Sequence, residues 1–172
     1  MNYFIIAQIF GIIMIILDVI SPQMKTKKAI IFVVIFVNLA GTLQFVFLGK
    51  WTGIITTFIA LVRTLIYYFY ASKSRRAPIW MLIVLMVIQL GSVIWTWDSW
   101  YAIFMLLTVA NIYGQWQINS QITRGGIMIT GLGIGVYSVF SEAYTGALDM
   151  ALRIVSSGIA LWRYRKRKEL EI

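Results

Sequence analysis

The sequence predicts an all-α, polytopic membrane protein of about seven spanning helices, and three observations carry that prediction. Of the 172 residues, 60% are hydrophobic and only 12% are charged, with a mean hydropathy of +0.85. That is too little polar surface for a soluble domain of this length. The apolar residues form runs long enough to cross a hydrocarbon core, which needs roughly 20 per helix. The net charge of +9 sits in short clusters between those runs, which argues for a membrane boundary and against nucleic acid as a partner.

The first span is Asn2–Ile20. It has no basic residues before it and carries Asp18 close to Ser21-Pro22-Gln23, so it reads as a retained helix and not as a cleaved signal. The others are Ala29–Leu48, Trp51–Ala71, Ile79–Trp97, Ser99–Ile118, Ile127–Ser141 and Tyr144–Trp162. The sixth is short and holds Gly131, Gly133 and Gly135. Its Gly131 and Gly135 lie one turn apart, a pattern that packs helices closely. The connections are short, so sequential helices run antiparallel and no soluble domain fits between them.

Basic residues set the orientation. Lys25, Lys27, Lys28, Lys73, Arg75, Arg76, Arg124, Arg163, Arg165, Lys166, Arg167 and Lys168 fall on one side, 12 residues, against Lys50 alone on the other, beside Asp98 and Glu142. The remaining two, Arg63 and Arg153, lie inside helices. The bias places the C-terminus in the cytoplasm and the N-terminus outside. Trp51, Trp95, Trp97, Trp100 and Tyr144 mark the outer ends of the helices, and Trp80, Trp162, Tyr67, Tyr68 and Tyr70 the inner ends, where amphipathic rings prefer to sit.

An internal repeat organises the spans. Phe47-Leu48-Gly49-Lys50-Trp51-Thr52-Gly53 aligns with Phe140-Ser141-Glu142-Ala143-Tyr144-Thr145-Gly146. Each is a helix end, a tight turn, an interfacial aromatic and a Thr-Gly that opens the next helix. Each following helix closes on a basic cluster. The plan is three helices (1–76), a linker helix (78–97) and three helices (98–168). An odd linker keeps the halves parallel, a plan that transporters use with the substrate site between the halves.

The chain resembles the YgjV-like bacterial inner-membrane proteins over nearly its full length. The residues that carry the likeness are Gln8 and Gly11, Gln23-Met24-Lys25-Thr26-Lys27-Lys28, Asn38 through Gln44 to Leu48-Gly49-Lys50-Trp51-Thr52-Gly53, and Arg63-Thr64-Leu65. Thr57 and Thr64 stand where such proteins are expected to carry asparagine. The resemblance implies the bacterial cytoplasmic membrane and names no substrate. In architecture the chain is also similar to PnuC-type vitamin uptake proteins and SWEET-type facilitators, and Pro22-Gln23 looks like a PQ-loop element.

The candidate site rests on the intramembrane polar residues. A charge at the centre of a bilayer costs about 2.5–3.5 kcal/mol on insertion scales and must face protein or water. Arg63 lies ~18 Å and Arg153 ~13 Å along their helices at 1.5 Å per residue. Under the repeat, Thr56, Ala60 and Arg63 match Asp149, Arg153 and Ser156, each trio on one helix face. A polar site of Thr56, Arg63, Asp149, Arg153, Ser156 and Asn38 is therefore expected. Arg63 suits an anionic or carbonyl-bearing ligand, since Arg presents a planar fork of donors. Two alternatives stay open. Asp149 and Arg153, at i and i+4, also read as a structural pair, and Arg63 also reads as a side chain snorkelling to the interface. Asp18 is expected to meet Lys25 or Lys27 at the interface and to stand outside the site. Gln44, Gln89, Asn111 and Gln115 are expected to join helices.

These features point to a small-solute transporter or facilitator acting on an unknown polar solute, with the lipid bilayer as surroundings and homo-oligomerisation possible. A membrane scaffold or accessory subunit is the alternative. The chain has no His and no Cys, which removes Cys/His metal sites, thiol nucleophiles and imidazole chemistry. No helix carries a Ser–Lys or paired-Asp arrangement, so an enzyme is not expected. No cofactor is expected either, and no Lys lies in the last helix before Lys166 to carry a Schiff base.

Overall fold

A computed structural model describes residues 3–49, 51–97, 100–140 and 144–170. The described residues are all-α, in seven helices: α1 (Tyr3–Ile20), α2 (Lys27–Leu48), α3 (Trp51–Ser72), α4 (Ile79–Trp95), α5 (Val109–Trp116), α6 (Ser120–Phe140) and α7 (Tyr144–Leu170). A 3₁₀ turn, Ser21–Gln23, follows α1, and a 3₁₀ segment, Trp100–Thr108, leads into α5. Four helices are long and apolar enough to cross a membrane: Tyr3–Gln23, Lys27–Leu48, Gly53–Ser72 and Ser120–Phe140. Lys50, Asp98 and Glu142, the residues that the charge argument places opposite the basic clusters, lie outside the described residues. So do Ser141 and Ala143 of the repeated turn.

The bundle inverts the distribution of a soluble protein. Its outer surface presents Ile5, Ile12, Phe58, Val87, Ile94, Leu148 and Val155, each more than half exposed. Its interior holds Asp18, Gln44, Arg63, Thr64, Gln89, Asn111, Gln115, Arg124, Asp149 and Arg153, all buried. That arrangement is stable when the solvent is lipid, since apolar side chains meet acyl chains and every polar group must turn inward.

Local chemistry fixes the helix ends. Thr26 caps α2 by accepting from the Ala29 amide at 3.3 Å, and Asn119 accepts from the Gln121 amide at 2.9 Å at the start of α6. Both supply an oxygen to an orphan amide of a first turn. Gly49, at φ 66°, ends α2 in the left-handed conformation, where a side chain is disfavoured. Pro78 precedes α4.

Two spans differ from the sequence expectation. The fifth, expected as a helix over Ser99–Ile118, is nine residues of 3₁₀ helix followed by eight of α-helix. The tighter 3₁₀ winding rises about 2.0 Å per residue, so the two pieces reach ~30 Å together, enough for a hydrocarbon core. The sixth is not short. α6 runs 21 residues and takes in Arg124, Gly125 and Gly126, which were expected to be loop. The glycines are there for contact: a Cβ at Gly126 would come 2.6 Å from the Ala110 carbonyl oxygen, and one at Gly133 would overlap that of Phe104. The backbone of the fifth span thus lies directly on α6. Gly131 and Gly135 receive Ile154 and Met150 of α7, the close packing their spacing predicts. Tyr67 also departs from expectation. It is 1% exposed within an apolar cluster with Ile31, Leu82, Leu85 and Ile112, not an interfacial anchor. By contrast Trp51, Trp80, Trp95 and Trp162 are exposed.

The described basic loops gather at one end of the bundle. The Arg124 guanidinium donates to the carbonyls of Pro22 at 2.9 Å and Met24 at 2.7 Å. Arg163 and the Tyr164 hydroxyl donate to the Gln23 carbonyl. The Trp116 indole donates to the Ala77 carbonyl at 2.7 Å, with the Arg76 guanidinium over its ring. Helix neighbours follow one pattern on both sides. α2 lies between α1 and α3, and α6 lies between the fifth span and α7. α1 then meets α7, and α3 meets α5.

Candidate functional site

A small cavity of about 70 Å³ lies inside the bundle. Its polar lining is Asp18, Asn38, Gln44, Thr57, Ser138 and Arg153, and the rest is apolar side chains with Gly41 and Gly146. α1, α2, α3, α6 and α7 all contribute. A volume of this size holds a few water molecules and is well below the several hundred Å³ of a typical ligand site.

Asp18 reaches the cavity because Ala7, Gly11, Met14 and Asp18 form the packed stripe of α1. This corrects the interfacial pairing expected for it. Asp18 is 1% exposed, and the Arg153 Nε stands 3.3 Å from its Oδ1. Arg153 therefore pairs across to α1; the i,i+4 pair with Asp149 was one of the readings left open. Asp149 is fully buried, and its carboxyl faces that of Asp18 within hydrogen-bonding reach. None of the four carboxyl oxygens accepts a hydrogen bond from another group. The small residues of the stripe were the sequence signal for Asp18: Ala and Gly one turn apart mark a face pressed on a neighbour, and Asp18 continues it.

The other expected residues spread around this centre. Asn38 lines the cavity and donates to the Thr64 hydroxyl at 3.0 Å and to the Ala60 carbonyl at 3.4 Å. Thr64 also contacts Gln115 at 3.4 Å, and Gln115 contacts Asn111, so a polar chain joins α2, α3 and α5. Thr57 was missed as a lining residue. It donates to the Gly53 carbonyl at 2.6 Å and meets the Thr42 hydroxyl at 3.1 Å. Gln44 was also missed. It seats its amide against Gly11 and donates to Thr145 at 3.4 Å.

Arg63 is 2% exposed and does not line the cavity. It points toward α4, donating to the Gln89 side chain at 3.3 Å. Its Nε has no hydrogen-bond partner. Thr56, one face-turn earlier, bonds to the Gly53 carbonyl at 3.2 Å. Ser156 lies toward the basic end, donating to the Val19 carbonyl at 2.7 Å and accepting from the Gln23 amide at 2.9 Å. Of the six expected residues, Asn38 and Arg153 thus border one cavity. Asp149 adjoins it through Asp18, while Arg63, Thr56 and Ser156 stand off it.

The basic end is shut below the cavity by the hydrogen bonds of Gln23, Arg124, Arg163 and Tyr164. An open cleft of about 740 Å³ lies beyond that seal, lined by Gln23, Met24, Lys25, Thr26, Arg163 and Tyr164. It is larger than the central cavity but opens to the surface between basic side chains, and the buried charged chemistry lies in the smaller one. Among the described residues no group of acidic, His or Cys side chains has the arrangement of a metal site.

A family model described as "Bacterial inner membrane protein" (Imp-YgjV) matches residues 5–168. No match is found among curated proteins or among solved structures. The chain belongs to that family of bacterial inner membrane proteins.

Proposed function

We propose that this bacterial inner membrane protein is a small-solute transporter or facilitator, with the central polar cavity as its site and two parallel three-helix halves around it. The observation that carries the reading is the cavity itself. Charged and amide groups from α1, α2 and α7 converge on a space inside the membrane, where such groups are costly unless a polar ligand or water meets them. The placement of neighbours supports two related halves: α1 meets α7 as α3 meets α5. The N-terminus lies outside and the C-terminus in the cytoplasm on this reading, with the sealed basic end facing inward.

At about 70 Å³ the cavity is a closed state. Solute entry then requires the helices to part, the rocking of one half against the other that such plans use. Arg63, Asp149, Arg153, Thr56, Ser156 and Asn38 are the proposed site residues, to which Asp18, Gln44 and Thr57 are added. Arg63, with an unpartnered Nε, is positioned to turn from Gln89 to a carbonyl or anionic group.

The test is a thermal-shift screen of the purified protein in detergent against nucleosides, vitamins, sugars, amino acids and small carboxylates. A ligand at 100 times its dissociation constant adds about 2.7 kcal/mol of stability. A shift that is lost in Arg63→Ala or Asn38→Ala, each still monodisperse, supports the site. Silence across the panel, with a partner co-purifying at fixed stoichiometry, would replace transport with a scaffold role.

A further inference from the structure

The polar centre contains more acid than its local base can balance. Asp18 and Asp149 are both buried, their carboxyls meet, and among the described residues only Arg153 stands at ion-pair distance from either. Among the described residues the surroundings offer no other neutralising group. α2 has no titratable residue between Lys28 and Leu48, and the turn Ser21–Gln23 has none. α6 supplies Tyr137 and Arg124, and Arg124 is taken up by Pro22 and Met24. α3 supplies Arg63, which is bonded to Gln89. Ionised carboxylates are acceptors only and bring no donor. Two of them face to face in a low-dielectric interior repel strongly, and the four oxygens here receive no hydrogen bond from elsewhere. A proton on one carboxyl removes both problems. It supplies the missing donor and leaves one negative charge for Arg153.

We propose that Asp18 and Asp149 form a proton-binding carboxyl pair, balanced by Arg153, whose proton is taken up and released as the central cavity closes and opens. The proton comes from water, bridges the two carboxyls in the closed state and returns to water on opening. Its loss sets two carboxylates against each other across the α1–α7 contact, the contact that Gln23 and Ser156 hold together at the basic end. The charge of the centre also changes. With Arg153 as its local base, it carries one negative charge without the proton and is neutral with it. Proton and an anionic solute would then bind together, by reciprocal linkage. The coupling rests on the transport reading above; the shared proton does not.

Infrared spectroscopy of the full-length protein in detergent tests the proton directly. At neutral pH the wild type is expected to show the carbonyl stretch of a protonated carboxyl, shifted in heavy water, lost on alkalinisation and absent from Asp18→Asn and Asp149→Asn. In each variant the amide can donate to the remaining carboxylate, so the pair keeps one hydrogen bond. A wild type with no such band overturns the proposal without any variant. So does a band unchanged in both variants. The coupling is read from Thr57→Cys, at the cavity wall, as its maleimide labelling rate relative to Lys73→Cys. The ratio is expected to rise several-fold with pH and to become flat when Asp149→Asn is added. A ratio indifferent to pH without Asp149→Asn removes the coupling. A band without any solute response leaves the proton site and sinks the transport reading, and a solute response without a band does the reverse.

Discussion

Gln23 and Gln115 each bond a side-chain hydroxyl across a helix contact of the bundle. Gln23, in the turn that ends α1, donates to the Ser156 hydroxyl on α7. Gln115, near the end of α5, accepts from the Thr64 hydroxyl on α3. Gln115 follows Gln23 by 92 residues, and Ser156 follows Thr64 by the same 92. Thr26 and Asn119, 93 residues apart, cap the helices that follow. The 92-residue offset is one short of the repeat's 93, under which Ser156 falls opposite Arg63, so if the halves are related by an axis along the membrane normal, the two Gln–hydroxyl bonds are comparable and not identical contacts between them. Double-mutant cycles of Gln23→Ala with Ser156→Ala, and of Gln115→Ala with Thr64→Ala, should then each give a coupling of about 0.6 kcal/mol, the average for such bonds in membranes. Coupling in one cycle and none in the other would remove the symmetric reading.

Among the described residues Arg124 is the most deeply set cation of the basic end, at 1% exposure. Its guanidinium donates to two backbone carbonyls of the turn after α1 and sits 4.2 Å from the Tyr164 ring. It ties α6, the first turn and α7 together. Hydrogen bonds from a charged donor contribute about 1.5–3 kcal/mol each. Arg124→Ala should destabilise the protein by roughly that amount or more, and Arg124→Lys should recover only part, because an ammonium cannot reproduce the planar fork. Equilibrium unfolding in mixed detergent measures both. Equal stability of Arg124→Ala and wild type would show that the seal does not depend on this residue.

The glycines of α6 divide by what lies above them. A Cβ on Gly126 meets backbone, 2.6 Å from the Ala110 carbonyl oxygen, whereas one on Gly125 meets nothing within 4 Å. Gly126→Ala should cost about 1–3 kcal/mol through forced backbone movement. Gly125→Ala should be neutral or stabilising by up to ~1 kcal/mol, since Ala favours a helix. Thermal unfolding of the two variants side by side decides it, and a reversal of their order would mean the fifth span does not rest on α6 in this way.

These same residues show what the sequence could reveal. Apolar runs and turn chemistry locate the helices, because lipid demands both and neither depends on distant partners. The 3₁₀ winding of the fifth span escaped, since nothing in its apolar run marks it, and the contact its backbone makes there, at Phe104, is with Gly133 of another helix. Arg124 escaped because Gly125-Gly126 beside it resembles a loop, although Asn119, a good N-cap, marks an earlier start. Within the site, Arg153 and Asn38 were identifiable as intramembrane polar groups. Asp18 was passed over, because its distance from the helix end fits an interfacial residue, although it continues the packed face that Ala7 and Gly11 mark on α1.

Charge placement makes the last prediction, and the chain's lack of cysteine provides a clean background for it. The described basic loops meet at one end of the bundle through the contacts of Arg76, Arg124 and Arg163, and cytoplasmic loops carry the Lys and Arg excess in bacterial membranes. Lys73→Cys should therefore react with a membrane-impermeant maleimide only after the cytoplasmic membrane is opened. Lys50→Cys, between the second and third spans, should react in cells whose outer membrane alone has been permeabilised. The reverse pattern would turn the molecule over and place the Gln23–Tyr164 seal on the outside. In the expected orientation the seal faces the cytoplasm. The cavity then runs from Asp18 and Arg153 toward Leu48 and Gly146, so under the proposed transport function solute would first reach it from the outside.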